Sequence, residues 1–134
     1  MSPARGVWVQ RPTIPPEALK RAVAARCDAW IAEVLVPRHL PAIRPHAEFN
    51  YCIGLHGARR GNSYRFLKRW RTGTSRVPVE QWDSPWCRLQ HFSPGRFDVG
   101  WMRHTGQWWT LRERLTLDEA MAYLAEEPVL QPIV

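Results

Sequence analysis

The sequence predicts an α+β domain, with an N-terminal helix, a five-stranded antiparallel sheet and a C-terminal helix. Three observations carry this. Apolar residues recur at helical spacing near both ends of the chain, and they alternate with polar residues through its middle. Glycine-bearing turns then punctuate that middle at short intervals. A run of strands flanked by helices is expected to have both helices packed on one face of the sheet.

Residues 1–15 hold three prolines and show no periodicity, so they read as an extended arm. Trp8 and Val9 in this arm could pack on the domain or on a neighbouring subunit. The first helix is expected near Pro16, since proline is tolerated in a first turn, with Thr13 as an upstream cap. Leu19, Val23, Cys27, Trp30, Ile31 and Val34 share one face of it. Pro37 is expected to end it, and an irregular connection from Arg38 runs to about residue 47.

Phe49, Tyr51, Ile53 and Leu55 then alternate with Asn50, Cys52, Gly54 and His56, which predicts a strand with one buried face. A loop from Gly57 to Asn62 leads into a second strand, Ser63 to Arg71. The third fits Trp86 to Phe92 and the fourth Arg96 to Arg103. The turn His104 to Gln107, with Gly106 supplying a positive φ, leads into a fifth at Trp108 to Arg114. Thr116 and Glu119 form a capping box for the last helix, whose apolar stripe is Leu117, Ala120, Met121, Leu124 and Ala125. Pro128 closes it. The domain so read spans residues 16–128, with 129–134 as a C-terminal tail.

Length and composition narrow the function. A chain of 134 residues fits one domain with a modest core. It carries 17 Arg and 2 Lys against 12 acids, a formal charge of +7, and 8 Trp. The longest apolar candidate, Ala29 to Val36, is interrupted by Glu33 and falls short of the roughly 20 residues that span a bilayer. The N-terminus lacks the apolar core of a secretory signal. Three cysteines without such a signal read as reduced thiols, so a cytoplasmic protein is expected.

The charge is unevenly placed. Residues 50–116 hold 12 bases and 4 acids, whereas residues 117–134 hold 4 acids and no base. Arg59, Arg60, Arg65, Lys68, Arg69, Arg71 and Arg76 occur with no acid among them. Alternation sends Arg65, Arg69 and Arg71 to one face of the second strand, and Lys68 to the other beside Tyr64, Phe66 and Trp70. Arginine forks grip phosphates through paired hydrogen bonds and stack on bases, and cations interleaved with aromatics on an open sheet suit single-stranded nucleic acid. Those seven cations are the expected phosphate contacts, with Trp70, Trp108 and Arg103 as stacking and clamping candidates. Trp70, Trp82, Trp86 and Trp101 are expected in the core, and at most one of the adjacent Trp108 and Trp109 can join them.

The reading that follows is a non-catalytic accessory protein that binds DNA or RNA, or docks on a larger nucleic-acid-processing protein. The same Trp- and Arg-rich surface also suits a protein-interaction or dimerisation module. A third reading is a small metal-independent ribonuclease drawing on His56, His91 or His104. No cofactor is expected. Cys52 with His56 and Cys87 with His91 resemble ligand pairs, but residues four apart on a strand lie about 13 Å from each other, so no metal site is expected from either pair alone. No phosphate loop, nucleophile elbow or dinucleotide fingerprint occurs.

The stretch from Phe97 through Gly100, Trp101 and Arg103 to Thr105, Gly106 and Trp108 resembles the signature of a widespread bacterial domain of unknown function. In that family an aromatic strand carries an Arg before a short Asn/Thr-Gly turn, and a Trp opens the next strand. A Pro-x-His connection like Pro37 to His39, and a Gly-rich loop before a strand ending in basic residues, like Gly61 to Arg69, extend the resemblance over roughly residues 17–127. The N-terminal arm and the long segment from Thr72 to Ser84 depart from the pattern. The resemblance implies a small cytoplasmic accessory domain of the kind that travels with mobile-element or defence genes, and it transfers no catalytic residue.

Overall fold

The computed structural model describes residues 10–40, 48–73 and 77–134. The elements run α1 (Glu17–Trp30), a π turn (Ile31–Leu35), α2 (Val36–His39), β1 (Tyr51–Arg60), β2 (Ser63–Arg71), β3 (Gln81–Phe92), β4 (Arg96–Met102), β5 (Trp108–Leu115) and α3 (Leu117–Glu126). The five strands form one antiparallel sheet in sequence order, β1-β2-β3-β4-β5. No helix among the described residues is long and apolar enough to cross a membrane.

Both long helices lie on one face. Val23, Cys27, Ile31 and Leu35 face down from the first, and Ala120, Met121 and Leu124 from α3. They meet Cys52, Leu55, Tyr64, Phe66, Trp86, Cys87, Leu89, Phe97 and Val99 of the sheet. Cys27 Sγ lies 3.9 Å from Met121 Sδ, and Arg26 pairs with Asp118 at 2.7 Å, so the helices run side by side over the sheet. The three cysteines are free and buried; burial pushes the Cys27 thiol up to about 12 and the Cys87 thiol well above its usual range. Tyr64 crosses beneath Gly57 and donates its hydroxyl hydrogen bond to Asp28 of α1. A Cβ at Gly57 would overlap the Tyr64 ring, which is why this strand position carries glycine.

Several elements depart from the sequence reading. Thr13 does not cap α1; its hydroxyl lies 3.2 Å from His91 Nδ1 and 2.9 Å from Ser93 Oγ, and Pro16 stands at the helix start without a side-chain cap. Residues 10–15 thereby fasten to the end of β3, with Thr13 N–H bonded to the His91 carbonyl. Trp8 and Val9 lie outside the described residues. Pro37 does not stop the helix: the π turn just ahead of it loosens the carbonyl ladder its ring would otherwise strike, and α2 runs on to His39. Phe49 precedes β1 and is 78% exposed; Leu55 is buried as expected, but a bulge between Cys52 and Gly54 breaks the alternation and turns Cys52 inward in place of Tyr51 and Ile53.

The expected loop from Gly57 is mostly strand, closed by a tight turn at Gly61–Asn62 with Gly61 at φ +59°. β3 begins at Gln81, five residues early. Pro85 argues against a strand there, yet the bulge at Trp86 of β3, between the Phe66–Cys87 and Leu67–Pro85 pairs, accommodates it. Trp82 is 39% exposed rather than buried. Leu130 packs in the core and its carbonyl accepts the Trp86 indole hydrogen bond at 2.8 Å. At α3 the capping box is present as expected, Thr116 N–H to Glu119 at 2.8 Å and Glu119 N–H to Thr116 at 3.1 Å.

Candidate nucleic-acid interface

The face of the sheet opposite the helices is the candidate site. Strand register fixes its occupants: Ala58, Arg65, Arg88, Gly100 and Thr110 are successive partners across all five strands. Their neighbours Phe66, Leu89, Val99 and Trp101 point into the core or pack against it. Arg60 stands beside this row through its pairing with Ser63, and Trp108 through its pairing with Met102.

At the centre, the Arg88 guanidinium carbon lies 4.4 Å from the Trp108 ring centroid and that of Arg65 lies 5.5 Å from it. Gly100 lies beneath the Arg88 stem; a Cβ there would stand 3.3 Å from Arg88 Cγ, a tight contact, and in ordinary contact with the Trp108 ring. Arg65 Nε is buried without a hydrogen-bond partner, and among the described residues no carboxylate lies within ion-pair distance of Arg65 or Arg88. Burial lowers the pKa of both guanidinia; Arg60 pushes Arg65 further down, and Arg65 does the same to Arg88, against the opposing pull of the Asp98 carboxylate. Both remain charged at neutral pH, because arginine ionises so strongly.

A second group sits further along β2. Arg69 Nε and Nη2 donate to Asp83 Oδ1 and Oδ2 at 3.0 and 3.2 Å, a two-pronged grip. His56 Nε2 lies 3.2 Å from the same Asp83 oxygen. The Arg69 fork and then His56 hold the Asp83 carboxyl below the usual range, while partial burial opposes them. Between the two groups lie Leu67 and its partner Pro85, both half-buried. Arg71 and its partner Tyr51 mark the far end.

The residues singled out from sequence therefore divide. Arg60, Arg65, Arg69, Arg71 and Trp108 occupy the open face; alternation along the second strand implied this for Arg65, Arg69 and Arg71. Arg59 turns to the helix side, where its Nη2 reaches the Lys20 carbonyl at 3.5 Å. Lys68 also faces that side; its ammonium stands over the Trp70 ring at 5.6 Å, bonds the Ile133 carbonyl at 3.2 Å, and is driven below its usual pKa by burial. Trp70 donates to Ser84 Oγ at 3.0 Å on that same face. Arg103 lies over Trp109 at the β5 edge, 4.9 Å from the ring. These four are not part of the open-face surface. Arg76 lies outside the described residues.

Trp108 carries two guanidinium groups over its ring, so that face of the indole is already occupied by arginines. Neither Trp108 nor Trp109 joins the core; Trp109 is 51% exposed. Arg88 was not singled out from sequence, although its place between buried Cys87 and Leu89 already puts it on the polar side of its strand.

The paired Cys and His motifs do not converge. Cys52 and Cys87 point into the core and His56 lies on the open face. His91, 1% exposed, turns Nδ1 to the Thr13 carbonyl at 2.9 Å; a carbonyl only accepts, so Nδ1 carries the proton. Among the described residues no group of three or more His, Cys, Asp or Glu side chains is placed to hold a metal ion.

Comparison with curated proteins and with solved structures finds no match. Comparison with known families does: residues 14–130 match a domain of unknown function, DUF3024, from the arm's last residues to the buried Leu130. With most of its length inside that match, the chain belongs to the DUF3024 family.

Proposed function

We propose that this protein is a non-catalytic accessory protein that binds nucleic acid through the open face of its sheet. The observation that carries the reading is the Arg65–Arg88–Trp108 group. Two adjacent like charges, partly desolvated and with no carboxylate in ion-pair contact among the described residues, cost folding free energy that the more distant Asp98 offsets only in part. The indole ring beneath them attracts both guanidinia without neutralising them. An anion with several acceptor oxygens relieves both costs, and a phosphodiester fits the arginine fork. Arg60 and Arg71 extend the positive surface to either side.

The test is fluorescence anisotropy of labelled DNA and RNA oligonucleotides across a salt series. Several phosphate contacts require log affinity to fall linearly with log salt concentration, by about 0.7 per contact for a single strand. A flat response, or no binding at low salt, overturns the reading.

One observation favours a second reading, a protein-docking module. Trp109 is half exposed on the edge strand β5 with Arg103 stacked on it, and such pairs anchor interfaces. That reading requires a partner or dimer that survives nuclease and high salt, and its loss in Trp109→Ala.

A further inference from the structure

We infer that the ligand of the open face is single-stranded and lies along β2, with phosphates on the two arginine groups and a base on the apolar interval between them. This rests on the nucleic-acid reading above and deepens it.

Width comes first. Five strands at about 4.8 Å spacing make a face roughly 19 Å across, whereas the major groove of a duplex is about 12 Å wide and takes a helix or a two-stranded ribbon. The open face cannot enter that groove. It could touch a duplex only along its backbone, where the half-buried Leu67 and Pro85 would meet charged phosphates and gain nothing. A single strand presents both kinds of surface, phosphates and the flat faces of unpaired bases.

The spacing along the strand agrees. Arg65 with Arg88, Leu67 with Pro85, and Arg69 with Asp83 are successive levels on one face of β2 and β3, each two β2 residues from the last. At roughly 3.3 Å per residue, two arginine-bearing levels flank an apolar one over about 13 Å, the second with its fork held by Asp83 until a phosphate displaces it. Arg60 beside Ser63 at one end and Arg71 beside Tyr51 at the other lengthen the track to about 26 Å. That holds about eight nucleotides if the strand stays stacked at 3.4 Å each, and about four if it is drawn out. His56 and Tyr51 offer rings at the apolar level and at the far end, where bases can rest.

The experiment uses the full chain and labelled oligouridylate and oligothymidylate of about two to twelve nucleotides, with a duplex of equal phosphate number beside them. Affinity is expected to rise with length to a plateau between about four and eight nucleotides, and the single strand to bind at least about tenfold tighter than the duplex. Comparing the two sugars at equal length tells RNA from DNA. Leu67→Ser and His56→Ala should each weaken single-strand binding severalfold while leaving the salt slope unchanged, since neither contributes a phosphate contact. A duplex bound as tightly as the single strand, or affinity indifferent to both substitutions in variants with native circular dichroism, overturns the track while leaving nucleic-acid binding intact. Binding no stronger than that of an Arg65→Ala/Arg88→Ala variant, for every oligonucleotide, removes the parent reading and the track with it.

Discussion

Arg65 and Arg88 face each other as direct partners on adjacent central strands, and both guanidinia lie over the ring of Trp108. Like charges in such a position destabilise the fold they sit in, so function and stability should separate there. Arg65→Met keeps the side-chain volume and removes the repulsion. It should leave the denaturation midpoint unchanged or raise stability by up to about 1 kcal/mol, while weakening nucleic-acid binding and lowering the salt slope by about 0.7. Urea unfolding and anisotropy on the same preparation check both halves.

Asp83 competes with any phosphate for the Arg69 fork. Asp83→Asn removes that competitor, and oligonucleotide affinity should rise severalfold with a steeper salt dependence. The same variant carries a pH signature. The folded-state pKa of Asp83 is lowered by Arg69 first and His56 after it, so its contribution to stability is complete above the unfolded value, near 3.8, and is lost as pH falls through the folded one. The effect is small at this accessible site. Thermal melts below about pH 4 should show a shallower acid loss in Asp83→Asn than in the parent chain.

Arg114 holds an uncommon backbone angle, φ +56°, and its side chain anchors three elements. Nη1 and the main-chain N–H donate to the buried Asp98 at 2.6 and 2.9 Å, Nε donates to Gln10 at 2.9 Å, and the guanidinium lies 3.6 Å from the Phe92 ring centroid. Arg114→Ala strands the Asp98 charge in place and keeps the strained angle, at a cost of about 3–5 kcal/mol. Arg114→Gly relieves the angle and should be about 1 kcal/mol less damaging. Urea midpoints should therefore rank parent, Arg114→Gly, Arg114→Ala.

The β4–β5 turn separates a structural role from a catalytic one. Gly106 has φ +83° with open space around it, so Gly106→Ala should cost about 1 kcal/mol or more through backbone strain alone. His104 is exposed, and His104→Ala should shift the midpoint little. Labelled RNA incubated with the protein in EDTA should stay intact with either chain; cleavage that vanishes in His104→Ala would make this protein a ribonuclease.

Much of this was legible in the sequence, for identifiable reasons. The α3 capping box needs only Thr116, Glu119 and an apolar stripe, all local, and the second strand was readable to the residue because its alternation is unbroken. Bulges hid the rest. Those at Ile53 and Trp86 shift the alternation by one residue, and no local pattern announces them, so Phe49 was expected inside and Pro85 outside a strand. The candidate site was half visible because alternation assigns faces within one strand but not partners between strands. Arg69 looked unpaired since Asp83 lies 14 residues away, and Lys68 and Arg59 looked like surface groups although the helices and the C-terminal residues cover their side.

The uninterrupted strand order β1-β2-β3-β4-β5 bears on how the protein reaches this state. Every sheet contact closes a hairpin between sequence neighbours, and no strand waits for a distant partner as it would in a Greek key. Loop-closure entropy is thus spent in short steps, which places folding toward the fast end for a sheet of this size. The non-local step is the docking of α1 and α3 from opposite ends of the chain, which the Cys27–Met121 contact spans. The arginine-bearing hairpin of β2 and β3 can assemble before either helix arrives.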